Sequence, residues 1–132
     1  MQVLKLKLNE YIPDNYTGIV KWGNGIKEWY KNGNLHREDG PAVEFSNGTK
    51  YWYIEGLLHR ENGPAIEYFD KSKIWSIEGE EYHMYSLLSY FKYNIFLNRE
   101  IGKYGLVWYK FLTKKGIEEI PFFPGMTIPS EE

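Results

Sequence analysis

Leu35-His36-Arg37-Glu38-Asp39-Gly40-Pro41-Ala42-Val43-Glu44 returns, 23 residues later, as Leu58-His59-Arg60-Glu61-Asn62-Gly63-Pro64-Ala65-Ile66-Glu67. Trp29, Trp52 and Trp75 keep the same offset, and so do Gly33, Gly56 and Gly79. Upstream, Gly18-Ile19-Val20-Lys21 aligns with Pro41-Ala42-Val43-Glu44, and Asn24-Gly25 aligns with Asn47-Gly48. Three units follow, residues 12–34, 35–57 and 58–80. The first lacks the His-Arg motif, and the third carries Asp70-Lys71 where the others have Asn-Gly. A period this short cannot enclose a core of its own, so the units must stack along one axis.

Each unit reads as strand, tight turn, strand, turn. Asn24-Gly25, Asn32-Gly33 and Asn47-Gly48 are dipeptides that accept the positive φ angles of a type I′ hairpin turn. Glu55-Gly56 and Glu78-Gly79 stand in the place of Asn32-Gly33. Gly40-Pro41 and Gly63-Pro64 punctuate the junctions, because proline cannot donate to a ladder. If every such turn is a two-residue loop, one face carries the rows Val20–Trp29–His36, Val43–Trp52–His59 and Ile66–Trp75–Tyr82. The other face then carries Ile19–Tyr30–Leu35, Ala42–Tyr53–Leu58, Lys21–Glu28–Arg37 and Glu44–Tyr51–Arg60. The expectation is a Trp/His face forming the core and a wetter Tyr/Arg/Glu face.

The string Trp-Tyr-x-Asn-Gly-x-Leu-His-Arg-Glu-Asp-Gly-Pro-Ala, carried by Trp29–Glu44 and Trp52–Glu67, resembles the variant MORN-type repeats of bacterial, phage and large-virus proteins. The likeness covers about residues 12–83. It implies a curved, mostly single-layer sheet of β-hairpins that binds rather than catalyses, and some relatives are antitoxins or immunity proteins. The chain lacks the more familiar Tyr-x-Gly-x-x-x-x-Gly form of the repeat, so the lipid binding of those relatives is not expected here.

The 132 residues amount to about one domain. The expected organisation is a capping strand in 1–11, three hairpin repeats in 12–83, and a helix, a hairpin and a Pro-rich tail in 84–132. The fold class expected is mainly β with one C-terminal helix. Eighteen acidic against sixteen basic side chains leave a net charge of −2, which gives no bulk attraction to nucleic acid or anionic lipid, though it leaves room for a local patch. No cysteine is present, which excludes disulfides, thiolate metal sites and a Cys nucleophile, and fits a cytoplasmic location. Leu4, Leu6 and Leu8 alternate with Lys5 and Lys7, the pattern of a half-buried strand rather than of a signal peptide or membrane span.

Past the third unit the period changes. Met84, Leu87, Leu88, Phe91, Ile95 and Phe96 sit at helical spacing and predict a helix from about His83 to Leu97, stopped at Asn98 and laid over the Trp rows. Leu106–Leu112 reads as a strand, followed by a turn at Lys114-Lys115-Gly116 and a short strand at Ile117–Ile120. Pro121, Pro124 and Pro129 leave the tail extended, and its apolar run through Phe122, Phe123 and Met126 is expected to dock on the body.

Few residues point to chemistry. His36 and His59, each followed by Arg and Glu, could form acid–base or anion-holding elements, since Arg suits bidentate contact with phosphate or carboxylate. Duplication argues instead for architecture: a repeat copies structural positions, whereas an enzyme needs one asymmetric site. No His/carboxylate cluster has the spacing of a zinc site, and no phosphate loop or nucleophile motif is present. No cofactor is implied. Tyr30, Tyr51 and Tyr53 with Arg37 and Arg60 would form a strip of the residue types that dominate interface hot spots. The leading expectation is therefore a non-enzymatic protein-binding module that neutralises a partner protein, as immunity or counter-defence inhibitors do. The alternative is a sequesterer of a nucleotide-like anionic ligand held by His36, Arg37, His59, Arg60 and nearby aromatics. A homodimer formed across open repeat edges is a further expectation.

Overall fold

Leu4 and Leu6 point inward from β1 (Val3–Leu6), which runs parallel to β2 (Gly18–Trp22) with Leu4 opposite Val20 and Leu6 opposite Trp22. They close a cluster with Tyr16 and Val20, against which Ile12, Trp22 and Tyr30 pack. Leu8 lies beyond the strand and is exposed. The computed structural model describes residues 1–83 and 86–123, is mainly β, and contains one helix. It divides into two units, Met1–Arg60 with Pro64–Glu80, and Glu61–Gly63 with Glu81–Glu132. No helix among the described residues is long and apolar enough to cross a membrane.

The second strand turns back into β3 (Lys27–Lys31), with Ile19 opposite Trp29 and Val20 opposite Glu28. This differs by one residue from the expected register, and the cause is the loop. Gly23-Asn24-Gly25 is a three-residue connection in which Trp22 N–H donates to Ile26 O at 2.9 Å and Gly25 N–H to Trp22 O at 3.0 Å. Gly25 takes φ +90°, the left-handed position that ends such a loop. Asn24 contributes its side chain, with Oδ1 accepting the N–H of Ile26. The second unit repeats this at Ser46-Asn47-Gly48, and the third at Phe69-Asp70-Lys71, where Lys71 itself adopts φ +77°.

The other turn of each unit does have two residues. Asn32-Gly33 joins β3 to β4 (Asn34–Leu35), with Tyr30 opposite Leu35. Both central residues of Asn32-Gly33, Glu55-Gly56 and Glu78-Gly79 have positive φ, as a type I′ turn requires. The second unit continues through β5 (Val43–Glu44), β6 (Lys50–Tyr51), β7 (Tyr53–Ile54) and β8 (Leu57–Leu58). The third comprises β9 (Ile66–Glu67), β10 (Lys73–Ile77) and β11 (Glu80–Tyr82). The main sheet has the order β1-β2-β3-β5-β6-β9-β10-β11, with β4 on β3, while β7 and β8 pair as a separate ribbon.

Consecutive repeats therefore lie edge to edge, and the register sorts residues onto two faces. Leu4, Val20, Glu28, Val43, Tyr51, Ile66 and Ile74 stand opposite one another in one row across β1, β2, β3, β5, β6, β9 and β10. The adjacent row, on the opposite face, is Lys5–Lys21–Lys27–Glu44–Lys50–Glu67–Lys73. Trp29 belongs to the charged face, and Val20 belongs to the apolar one. The expected Val20–Trp29 pairing is thus corrected, whereas Trp29 and His36 do adjoin, His36 N–H donating to Trp29 O at 2.9 Å.

In the second unit of the fold, α1 (Ser86–Tyr93) precedes β12 (Ile95–Ile101), β13 (Val107–Thr113) and β14 (Gly116–Phe122), which form a three-stranded antiparallel sheet. The helix expected to reach Leu97 ends at Tyr93, because Ile95 and Phe96 are taken up by strand pairing with Leu112 and Phe111. Asn98 lies opposite Lys110 within the sheet and does not stop the helix. Tyr90 and Phe91 of α1 pack on Phe111, at ring separations of 5.4 and 5.1 Å. A Lys114-Lys115 turn joins β13 to β14, where Pro121 sits on an edge strand that needs no donor on its outer side. Ile120, Pro121 and Phe123 are buried, so the start of the apolar run is docked. Met84, Pro124, Met126 and Pro129 lie outside the described residues.

Candidate functional site

The recurrence of His and Arg at the 23-residue offset has a mechanical explanation in how each repeat closes on itself. His36 Nδ1 accepts the backbone N–H of Glu55 at 2.9 Å, and His59 Nδ1 accepts that of Glu78 at 2.9 Å. Each bond ties the start of a 23-residue unit to the two-residue turn at the end of the same unit. Around it, Gly56 N–H donates to Leu35 O at 2.8 Å and Arg37 N–H to Tyr53 O at 3.1 Å. The third repeat shows the same pattern, Gly79 to Leu58 at 2.9 Å and Arg60 to Ser76 at 3.1 Å. Accepting a backbone donor requires an unprotonated Nδ1, so in this arrangement the imidazole proton sits on Nε2. His36 Nε2 also approaches the exposed Glu38 carboxylate, at 3.5 Å.

Arg37 and Arg60 lie flat on the repeat tryptophans, each guanidinium carbon 3.9 Å from the ring centroid of Trp29 or Trp52. Arg37 donates through Nη1 to Pro41 O at 3.1 Å and through Nε to Asp39 at 3.0 Å, and Nη1 lies 3.6 Å from Glu44. Arg60 donates to Pro64 O at 3.1 Å and to Glu67 at 3.2 Å. The motif His-Arg-x-x-Gly-Pro is thus a clasp: Arg bends back to the carbonyl of the proline four residues on and roofs the Trp of its own face. Gly40 makes room for it, since a Cβ there would stand 2.8 Å from Arg37 Cζ. Beside the tryptophans sit the fully buried Ala42 and Ala65, whose carbonyls accept from Trp29 N–H and Trp52 N–H at 2.9 and 2.8 Å.

The expected Tyr/Arg strip is therefore divided. Both arginines cover the tryptophans of the charged face, while Tyr30 and Tyr51 belong to the apolar face. Tyr51 lies at the centre of a half-buried group with Phe45, Tyr53 and Tyr68, at ring distances of 5.0, 6.4 and 6.4 Å. Burial raises the phenol pKa of both Tyr51 and Tyr53, so these rings stay neutral well past neutrality. Tyr30 donates to Glu28 Oε1 at 3.2 Å, and Trp22 Nε1 donates to the same oxygen. Burial first, then the Glu28 carboxylate, pushes the Tyr30 phenol upward.

Tyr30, His36 and Arg37 do meet at one groove of about 510 Å³ with Trp29 and Lys31, but Glu38 and Asp39 line it too and offset its cations. Among the described residues no group of three or more His, Asp or Glu side chains could hold a metal ion. The feature that sequence reasoning missed is the lysine row. Its signal was the recurrence of Lys27, Lys50 and Lys73 at the 23-residue offset. Comparison with protein-family models, with curated proteins and with solved structures finds no match for this chain.

Proposed function

We propose that this chain is a non-enzymatic protein-binding module that neutralises a partner protein, in the manner of an immunity or counter-defence inhibitor. One observation supports it above the others: Phe45, Tyr51, Tyr53 and Tyr68 gather half-exposed on one face, while His36, His59, Arg37 and Arg60 are engaged in bracing the repeats and covering their tryptophans. Tyrosines held on a sheet bury large area at low entropy cost, which is why they anchor interfaces. The resemblance to MORN-type repeats favours the same reading, as binding rather than chemistry. The test is affinity capture from cells of the producing or host organism with wild-type protein and with Tyr51→Ser/Tyr53→Ser, both checked for folding by circular dichroism. A partner recovered by the wild type and lost with the variant is the expected outcome. Equal recovery by both, or a partner recovered by neither, contradicts this reading.

The nucleotide-like ligand is the weaker reading, because Arg37 already holds Asp39 and Glu44 and the groove beside it carries two acids. Thermal-shift screening against nucleotides tests it, since a bound ligand raises apparent stability.

A further inference from the structure

We infer that the charged face is a binding surface for single-stranded nucleic acid, centred on the groove between the turns of the second and third repeats. This goes beyond the protein-binding proposal, which concerns the aromatic group around Tyr51. The groove, about 480 Å³, is lined by Lys50, Lys71, Lys73, Glu67 and the aromatics Phe69 and Tyr68, among others, and Tyr68 is shared with the aromatic group around Tyr51. Phe69 sits at the tip of its loop, 64% exposed, beside three lysines. Glu67, which stands between Lys50 and Lys73, also pairs with Arg60 at 3.2 Å, so cations outnumber this one carboxylate.

The groove opens onto the row Lys5–Lys21–Lys27–Glu44–Lys50–Glu67–Lys73. Each glutamate of that row is paired with an arginine, Glu44 with Arg37 and Glu67 with Arg60. Lys5, Lys21 and Lys27 stand opposite one another on three adjacent strands with no acid between them, an arrangement that is unfavourable in an isolated sheet. Such a face on a chain whose net charge is −2 is a segregation of charge. With strands about 4.8 Å apart, the seven-strand row extends roughly 29 Å. A positive track with an exposed ring at one end fits a phosphate backbone along the lysines and a base stacked on Phe69. An acidic protein surface would make use of the lysines and leave Phe69 without a role.

The experiment is fluorescence anisotropy with a labelled single-stranded oligonucleotide of about 12 nucleotides, within the usual range of site sizes, titrated at several salt concentrations. The variants are Lys21→Gln, Lys50→Gln, Lys73→Gln and Phe69→Ala, with Lys115→Gln in the second unit as control and circular dichroism as the check of folding. The expected result is saturable binding that weakens with salt, each face Lys→Gln lowering the salt slope of log K by about one. Phe69→Ala should weaken binding several-fold at an unchanged slope, and Lys115→Gln should change neither. No saturable binding at low salt overturns the inference, as does a slope indifferent to the face lysines. Tighter binding of a poly-glutamate peptide of matched charge also overturns it, and assigns the face to acidic protein.

Discussion

His59 reaches from the start of the third repeat to the turn at its end, its Nδ1 accepting the backbone N–H of Glu78 at 2.9 Å, and His36 does the same for Glu55 one repeat earlier. The two bonds span the same 19 residues and differ in setting, since the His59 bond is partly buried and the His36 bond is exposed. His59→Phe removes the acceptor and keeps the ring volume. Loss of the partner of a partly buried donor costs about 1–3 kcal/mol, so His59→Phe should lower stability in urea by that amount and His36→Phe by less. Equal, negligible losses at both sites would show that the imidazoles do not brace the turns.

The clasp of Arg37 over Trp29 gives a second expectation. Arg37→Met keeps apolar cover on the indole while removing the charge and the donors to Pro41 O and Asp39, and should cost about 1–2 kcal/mol. Gly40→Ala displaces the same guanidinium. Combined in one chain the two should cost clearly less than their separate losses added together, because both remove one interaction. Additive losses in a double-mutant cycle would separate Gly40 from the clasp.

Three turns occupy equivalent places and only the third lacks glycine at its left-handed position, where Lys71 takes φ +77° against +90° and +94° for Gly25 and Gly48. Lys71→Gly should therefore raise stability, by about 0.5–1 kcal/mol once the entropy glycine gains in the unfolded chain is allowed for. A loss of stability on thermal unfolding would mean that the Lys71 side chain makes a contact worth more than the strain.

Alkaline pH offers a fourth. The folded-state pKa of Tyr30 is raised, by burial first and by Glu28 second. A raised phenol stays protonated in the fold while the unfolded chain ionises from about pH 10, so the stabilisation is complete below that value and is lost as pH rises above it. Tyr30→Phe should flatten this part of the decline in stability. Tyr51 and Tyr53, raised in the same direction, should leave a remainder. Identical alkaline profiles for the wild type and Tyr30→Phe would refute the assignment.

Much of the architecture is legible in the residue pattern, and what escapes it has identifiable causes. The 23-residue offset yields the stacked hairpins, and Asn32-Gly33 behaves as a two-residue turn. Asn24-Gly25 does not, because the same dipeptide also serves a three-residue loop in which the Asn side chain caps the residue two positions on. That one residue moves Trp29 from beside Val20 to the charged face. The helix overran for another reason: Ile95 and Phe96 continue a helical spacing, but Leu112 and Phe111, far along the chain, claim them for a strand. Arg37 and Arg60 read as members of one strip with Tyr30, Tyr51 and Tyr53 because nothing local announces that each folds back onto an indole.

The register between the second and third repeats decides which residues share a face, and nuclear magnetic resonance can read it directly. Tyr51 and Ile66 stand opposite each other, one step from the bonded pair in which Trp52 N–H donates to Ala65 O at 2.8 Å. They form a non-hydrogen-bonded pair, whose α-carbons approach to about 4.5 Å. The account predicts a strong nuclear Overhauser effect between the α-protons of Tyr51 and Ile66. A strong effect between Trp52 and Ile66 instead, or none linking these strands, would contradict it.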